Sequence, residues 1–233
     1  MNKRSKQVRR DAIKLAKANG GYHWGGSFSC TEILIDLYDH ILTDDDIFIL
    51  SKGHGCWCYY VLLREKGYNP KLEGHPSLDP QNGIYATTGS MGHGLPFGIG
   101  IALAKKLKKE KGRVFVLMGD GECQEGTTWE SILIASKLKL DNLCVIIDYN
   151  KIQGSDFLIY HKTISSIYNT AVSNGWYACF DFCKDSYLEE NKPKLNIKST
   201  IKGEGVSFME NKPEWHSKWL TDELEQKALE ELK

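Results

Sequence analysis

The residues best suited to chemistry follow two apolar runs in the middle of the chain. The run VFVLM at 114–118 ends at the turn GDG, and the run LCVII at 143–147 ends at DYN. Short apolar runs bounded by turn signals are typical of buried strands. Asp120 lies at the end of the first run and Asn150 at the end of the second. Carboxylate and amide oxygens are hard donors that suit Mg²⁺ or Ca²⁺, so the sequence predicts a cation site.

The spacing between the two runs predicts how these residues meet. A helical pattern over 129–140 separates them, and a strand, helix and strand of this length form a unit whose strands are parallel and usually adjacent. Asp120 and Asn150 would then share the edge where open α/β sheets hold ligands. Gly121, which lacks a Cβ, would let a phosphate approach the main chain. We therefore expect a Mg²⁺-diphosphate site, although GDG as a mere tight turn and Asn150 as a mere helix cap stay open.

The rest of the sequence reads as one α/β domain, residues 1–233, with a mostly parallel central sheet flanked by helices. The patterns predict helices at 4–18, from 29 or 31 to 42, and at 56–66, 95–109, 163–174 and 221–232. They predict further strands at 47–50, 176–182 and 193–201, and loops at 22–27, 67–90 and 154–162. In the strand at 193–201, Leu195 and Ile197 face one side and Lys194 and Asn196 the other.

The composition of the chain limits which partners and which cellular compartment we expect. The 30 basic and 30 acidic residues give zero net charge, so nothing favours nucleic acid or an acidic membrane as a partner. No secretory or membrane-spanning stretch is visible, and the seven scattered cysteines indicate reduced thiols in a cytoplasm. Cys56 and Cys58 form the one close pair, and their apolar surroundings favour core packing over zinc.

Five of the seven histidines lie in turns, most of them rich in glycine: His23, His54, His75, His93 and His216. Imidazoles donate hydrogen bonds to phosphate and sugar oxygens and move protons near neutral pH. A structural role stays open for any one of them. A zinc site is the weaker alternative, because no two of the five have close metal-ligand spacing.

Several motifs together resemble one known family. GDGECQEG, followed thirty residues after Asp120 by Asn150-Lys151-Ile152, is similar to the thiamine-diphosphate motif in its transketolase form. HWGGS, SKGHG, GHPS, TGSMGHG and GVSFMENKPEW occur in the family's order and extend the resemblance over residues 8–218. The resemblance implies a thiamine-diphosphate-binding fold in which Asp120, Asn150 and the carbonyl of Ile152 bind Mg²⁺.

The resemblance also implies roles for single residues. The resemblance implies that the sugar or the reactive end of the cofactor would be contacted by His23, His75 and His216. The diphosphate would be reached by His54 and His216, with Gly121 and Asn150 beside it. The thiazolium would be bordered by Gly89, Ser90 and Met91, and a contact between subunits would involve Glu125. For His93 the family gives no clear role.

Three departures from the family pattern concern the interface between subunits and the sugar specificity. The chain between Trp176 and Pro193 is about one helix shorter than in family members, and 181–185 lacks a histidine often found there. Trp24 stands where the family has a smaller residue beside His23.

In the family, the glutamate that activates the aminopyrimidine belongs to a second, C-terminal domain, and this chain ends at Lys233. We therefore expect the diphosphate-binding subunit of a split transketolase, active only with a pyrimidine-binding C-terminal subunit in an α2β2 assembly. Its reaction would transfer a two-carbon ketol unit from a ketose to an aldose, usually phosphorylated. Two alternatives stay open: another thiamine-diphosphate enzyme, such as a 2-oxoacid dehydrogenase or deoxyxylulose-phosphate synthase, and a non-catalytic nucleotide- or metal-binding module.

Overall fold

A five-stranded parallel sheet forms the centre of the structure. A computed structural model describes residues 1–154, 156–158, 162–181 and 191–233. The strands are β1 (Ile47–Leu50), β2 (Val114–Gly119), β3 (Leu143–Tyr149), β4 (Ile152–Gln153), β5 (Asp156–Phe157), β6 (Tyr177–Phe180) and β7 (Lys194–Ser199). The sheet order is β1-β2-β3-β7-β6, and all four pairings are parallel. The predicted fold class and the predicted pairing of β2 with β3 are confirmed.

Eight α-helices surround the sheet in the described part of the chain. They are α1 (Lys3–Lys17), α2 (Trp24–Ser29), α3 (Thr31–Asp36), α4 (Cys56–Glu65), α5 (Gly94–Lys108), α6 (Gly126–Lys137), α7 (Lys162–Ser173) and α8 (Asp222–Glu231). A π-helical turn, Leu37–Ile41, continues α3 to the predicted end of that helix. None of these helices combines the length and apolar composition needed to cross a membrane.

The alternation of side chains in the strands divides the core between two faces. Phe115 and Leu117 of β2 pack with the first four helices, whereas Val114, Val116 and Met118 pack with α5, α6 and α7. Because successive strand residues point to opposite faces, the apolar run of β2 needs a helical layer on both sides. Gly98 of α5 lies directly against β2, since a Cβ there would be 2.5 Å from Val116.

The predicted loop at 22–27 is wrong in its second half, because α2 begins at Trp24. Glycines disfavour helices, and the pair Gly25-Gly26 therefore indicated a loop. Tertiary packing overrides that preference here. A Cβ at Gly25 would lie 2.9 Å from Lys202, and one at Gly26 would lie 2.6 Å from His54, so only glycine lets α2 approach these side chains.

Two other segments differ from their sequence patterns. β7 lies between β3 and β6, so its polar face is buried as well, with Lys194 2 % and Asn196 0 % exposed. The Lys194 ammonium donates to the carbonyl of Asp141 at 2.7 Å. The predicted loop at 154–162 contains the second strand of the short β4–β5 hairpin.

The six cysteines in the described ranges are free, and Cys56 and Cys58 are buried in α4. Core packing of this pair, predicted from the sequence, is confirmed. Within those ranges no three His, Cys, Asp or Glu side chains are arranged to hold a metal ion. Residues 182–190, which include most of the segment predicted to be shortened, lie outside the described residues, as does His161.

Candidate functional site

A cavity of ≈ 520 Å³ opens at the edge where the parallel strands end. Its walls include the segments that follow β1, β2, β3 and β7, as expected for a ligand site of an open α/β sheet. The predicted site residues that line it are His23, His54, His75, Gly89, Met91, Asp120, Gly121, Asn150, Ile152 and His216. Folding therefore brings residues from nearly the whole length of the chain to one place.

The ends of β2 and β3 meet at Asp120, Asn150 and Ile152. The Asp120 carboxylate accepts hydrogen bonds from the N–H groups of Gly121 at 2.8 Å and Lys151 at 2.6 Å, so it bridges the two strand ends. The Asn150 amide oxygen accepts from the N–H of Ile152 at 3.1 Å. Asn150 thus closes a turn into β4 and caps no helix. Asp120 and Asn150 are only 2 % and 6 % exposed.

Burial makes the Asp120 carboxylate costly to ionise. Desolvation is the largest cause that raises its pKa to about 6, and the nearby charge of Asp148 adds to it. The two backbone N–H bonds oppose the shift. A cation bound nearby would favour the charged carboxylate.

A buried ion pair between Lys52 and Asp148 supports the floor of the cavity. Lys52 is 3 % and Asp148 0 % exposed, and their charged groups are in direct contact. The ammonium also donates to the carbonyl of Gly26 at 2.8 Å, and Ser29 donates its hydroxyl to Asp148 at 2.6 Å. Burial by itself would lower the pKa of Lys52, but Asp148 outweighs it and the pKa is raised. Lys52 therefore stays cationic beside the cavity.

A second lysine, Lys202, lies 2 % exposed in the cavity wall. Its ammonium donates to the carbonyl of Gly154 at 3.2 Å and to that of Ile152 at 3.4 Å. Burial, followed by the charge of Lys52, lowers the pKa of Lys202 to about 8. The ammonium therefore touches the same carbonyl that the family resemblance assigns to the metal.

Four imidazoles form a cluster in the wall of the cavity. The ring centroid of His23 lies 5.7 Å from that of His54, 5.5 Å from that of His75 and 5.0 Å from that of His216. His54 and His216 are 5.1 Å apart. His23 has a left-handed backbone, with φ 67°, and its Nδ1 contacts the carbonyl of His216, which fixes the ring in the cluster.

All four imidazoles are held neutral. Burial is the largest cause that lowers the pKa of His23, His54 and His75, and it lowers the pKa of His216 to about 4. For His216 the charge of Lys202 is the second cause. Neutral imidazoles can each offer one donor and one acceptor to a polyol. The Nδ1 of His216 is buried without a hydrogen-bond partner among the described residues.

The segment 89–93 divides between the cavity and the surface. Gly89 and Met91 line the cavity, whereas the predicted Ser90 does not. The Ser90 hydroxyl instead lies 3.1 Å from Nδ1 of His93, and both residues are exposed. The structure therefore gives Ser90 no cavity contact.

Gly121 lines the cavity and also lies against β4. A Cβ at this position would lie 2.7 Å from the Cβ of Gln153. The absence of a side chain lets β4 pack against the turn after β2.

Taken together, the cavity presents carboxylate, amide and carbonyl oxygens beside two ammonium groups, together with a cluster of neutral imidazoles. This arrangement suits a metal-bound anion with a polyol or heterocycle beyond it. The sequence of the chain matches, over residues 6–228, the family described as "Transketolase, thiamine diphosphate binding domain". The chain belongs to the transketolase family.

Relatives in the transketolase family include half-length subunits. The chain is 37 % identical to one of the subunits of apulose-4-phosphate transketolase from Actinobacillus succinogenes, covering 100 % of this chain and 96 % of that protein. It is 31 % identical to "6-deoxy-6-sulfo-D-fructose transketolase subunit SqwG" of a Clostridium species, covering 90 % and 88 %.

A transketolase from Campylobacter jejuni has the same fold. Its crystal structure superposes on all of this chain with a TM-score of 0.84 at 22 % identity. This chain covers 43 % of that longer transketolase. The predicted family and the thiamine-diphosphate-binding fold are therefore confirmed.

The sequence patterns did not point to four charged residues of the site: Lys52, Glu122, Asp148 and Lys202. Lys52 stands inside the SKGHG turn, whose clearest signal is His54, and Asp148 belongs to the DYN strand end. Lys202 follows β7, whose carboxyl end lies on the same sheet edge. The strand-end rule, applied to all parallel strands and not only to β2 and β3, would have pointed to the lysines.

Proposed function

We propose that this chain, as one cofactor-binding domain, is the diphosphate-binding subunit of a transketolase and binds thiamine diphosphate with Mg²⁺ in the cavity. One observation carries the proposal: the Asp120 carboxylate joins the ends of β2 and β3 beside two buried lysines, Lys52 and Lys202. A carboxylate for the metal next to two cations for the phosphates fits a Mg²⁺-diphosphate group.

The residues would divide the cofactor among them. Mg²⁺ would be bound by Asp120, Asn150 and the Ile152 carbonyl. The diphosphate would be bound by Lys52, Lys202, His54, His216 and the turn at Gly121, and the thiazolium would be bordered by Gly89 and Met91. Ser90 is left out because its hydroxyl contacts His93 and not the cavity.

Once bound, thiamine diphosphate supplies the electron sink that two-carbon transfer requires. The chain supplies orientation and proton transfer through His23, His75 and His216. Since their lowered pKa values keep these imidazoles neutral near pH 7, each can accept a proton from a sugar hydroxyl or donate a hydrogen bond to it. We propose that they bind the ketose and aldose and move the protons of the ketol transfer.

We further propose a separate pyrimidine-binding subunit, combined with this chain in an α2β2 assembly. Support comes from the relatives that this chain matches over nearly their full length, which are named as transketolase subunits. The reduced, mostly buried thiols favour a cytoplasmic location. The isolated chain should then show no ketol transfer, and turnover by the purified single chain would contradict this part of the proposal.

Calorimetry with thiamine diphosphate and Mg²⁺ tests the site directly. Asp120→Ala removes the charged metal ligand, so the affinity should fall by more than the roughly 10–100-fold that follows loss of an outer-shell metal partner. Asp44→Ala, an exposed carboxylate on a surface turn, is the matched control and should bind normally. Unchanged cofactor affinity in Asp120→Ala would sink the proposed site.

The assembled enzyme should then be assayed with a ketose phosphate and with pyruvate as alternative donors. Consumption of the ketose favours transketolase chemistry, and consumption of pyruvate would move the chain to another thiamine-diphosphate reaction.

A further inference from the structure

One buried carboxylate beside the cavity has no part in the proposed metal or diphosphate contacts. Glu122, in the turn after β2, is 4 % exposed. Its Oε1 accepts a hydrogen bond from the N–H of Gly92 at 2.9 Å and from the hydroxyl of Ser51. Its Oε2 accepts from the N–H of Gly119 at 3.1 Å. Three donors thus converge on one side chain.

The three donors belong to three different segments of the site. Ser51 follows β1, Gly119 ends β2, and Gly92 lies in the segment that leads from Gly89 and Met91 into α5. All three segments line the cavity. Glu122 therefore joins the strand end that carries Asp120 to the segment expected to border the thiazolium.

Gly92 is also held from its other side. Its carbonyl accepts a hydrogen bond from the hydroxyl of Thr127 at 2.9 Å, and its φ of 78° is one that favours glycine. A Cβ at Gly92 would lie 2.4 Å from the Thr127 hydroxyl oxygen and 2.6 Å from the Cβ of Glu125. Gly92 is therefore hydrogen-bonded on both sides, to Glu122 in the turn after β2 and to Thr127 at the start of α6.

A charged carboxylate is an unusual choice for a buried structural position, because desolvation disfavours it and raises the pKa of Glu122. The three hydrogen bonds to its oxygens favour the charged form and oppose that shift. A glutamine could not replace it fully, since its NH₂ group would face the N–H of Gly119 or of Gly92. The site needs an acceptor on both oxygens.

We propose that Glu122 is a positioning residue that fixes the segment 89–92 against the metal-binding strand end, so that the cofactor's ring and its diphosphate are held at a set separation. This inference rests on the proposed function, because it takes 89–92 as the border of the thiazolium. Glu122 would act through its hydrogen bonds to Gly92, Gly119 and Ser51, as a positioning residue and not a catalytic one.

Hydrogen exchange on the isolated chain tests, without any cofactor, whether Glu122 holds the segment 89–92 in place. In Glu122→Ala, amide exchange in a peptide covering 89–94 should become faster by about 10-fold or more, while peptides from β2 and β3 stay protected. Glu122→Gln should lie between the wild type and Glu122→Ala, since one of its two terminal atoms still accepts. Glu130→Gln, an exposed glutamate on α6, gives the same change of charge and should exchange like the wild type.

Calorimetry with Mg²⁺ and thiamine diphosphate, on the chain with its partner subunit where binding requires one, supplies the second readout. Glu122→Ala should weaken binding by about 10–100-fold, the range seen when outer-shell partners are lost. If Glu122→Ala does not fold, Ser51→Ala removes one of the three donors and should give the same changes at smaller size.

If the folded variants exchange at 89–94 as fast as the wild type and bind the cofactor as tightly, the proposed positioning role of Glu122 is wrong. If the wild-type protein itself binds no thiamine diphosphate, the proposed function fails. The exchange experiment still decides whether Glu122 holds the segment.

Discussion

The cavity buries two sets of ionisable groups, the lysines beside the strand ends and the cluster of four imidazoles, and it leaves the lysines charged and the imidazoles neutral near pH 7. At the strand ends Lys52 is kept charged by Asp148, and Lys202 is partly compensated by Asp120 and Asp148. The pKa values of His23, His54, His75 and His216 are lowered chiefly by burial, and the charges of lysines and of neighbouring imidazoles add to the shift for all but His75.

This difference teaches that burial alone does not set the charge of a site. Desolvation is the largest cause for Lys52 and for His54 alike, yet only Lys52 has a carboxylate in contact. The partner decides which way the pKa moves. One cavity can therefore hold both cations for an anionic group and neutral imidazoles that can transfer protons.

The largest expected effect comes from removing the partner. Asp148→Ala leaves the Lys52 ammonium buried without a counter-charge, so we expect the free energy of unfolding to fall by about 3–5 kcal/mol. Urea unfolding at neutral pH measures it. The double variant Lys52→Met with Asp148→Leu removes both charges and should recover much of the loss. Equal losses in the single and double variants would show that packing, and not the uncompensated charge, sets the stability here.

Removing the second cation should mainly affect binding. Lys202→Met takes away an ammonium proposed to face the diphosphate, so cofactor affinity should fall by about 10–100-fold, or roughly 1.4–2.7 kcal/mol. Lys66→Met, an exposed lysine at the end of α4, is the control. Lys202→Met should also raise the pKa of His216, since the charge of Lys202 helps to lower it. NMR can follow the titration of His216 in both proteins. An unchanged pKa of His216 in Lys202→Met would contradict the electrostatic coupling between Lys202 and the imidazole cluster.

The smallest effect concerns pH. The lowered pKa values mean that the folded chain binds fewer protons on its imidazoles than the unfolded chain does. Their contribution to stability is fully present above about pH 6.5 and is lost as the pH falls toward about 4, the pKa of His216. Urea midpoints should therefore decrease between pH 7.5 and pH 5.

The matched pair His216→Gln and His40→Gln refines this test. His216→Gln should make the stability less dependent on pH by about 1–2 kcal/mol over that range. His40 is exposed, and its replacement should leave the pH dependence unchanged. Equal pH dependence in both variants would mean that the cluster is not the source of the effect.

The sequence predicted more of the fold than of the site's charges. Apolar runs and a helical spacer of ordinary length were enough to predict β2, β3 and the meeting of Asp120 with the turn after Asn150, because these signals are local. The helix at Trp24 was missed, since its two glycines fit only through contacts with Lys202 and His54. The histidines were singled out by their turn motifs and by family resemblance, but their charge state could not be read from either.

By itself the sequence determined a parallel α/β sheet, the sheet edge at which the predicted ligand residues lie, and the family of the chain. Strand length, turn residues and short motifs can all be recognised in short stretches of sequence. Only the tertiary structure decided which charges pair. Lys52 and Asp148 are 96 residues apart, and Glu122 reaches donors 71 and 30 residues away. Contacts at such separation depend on how strands order themselves in the sheet, and no local pattern encodes that distance.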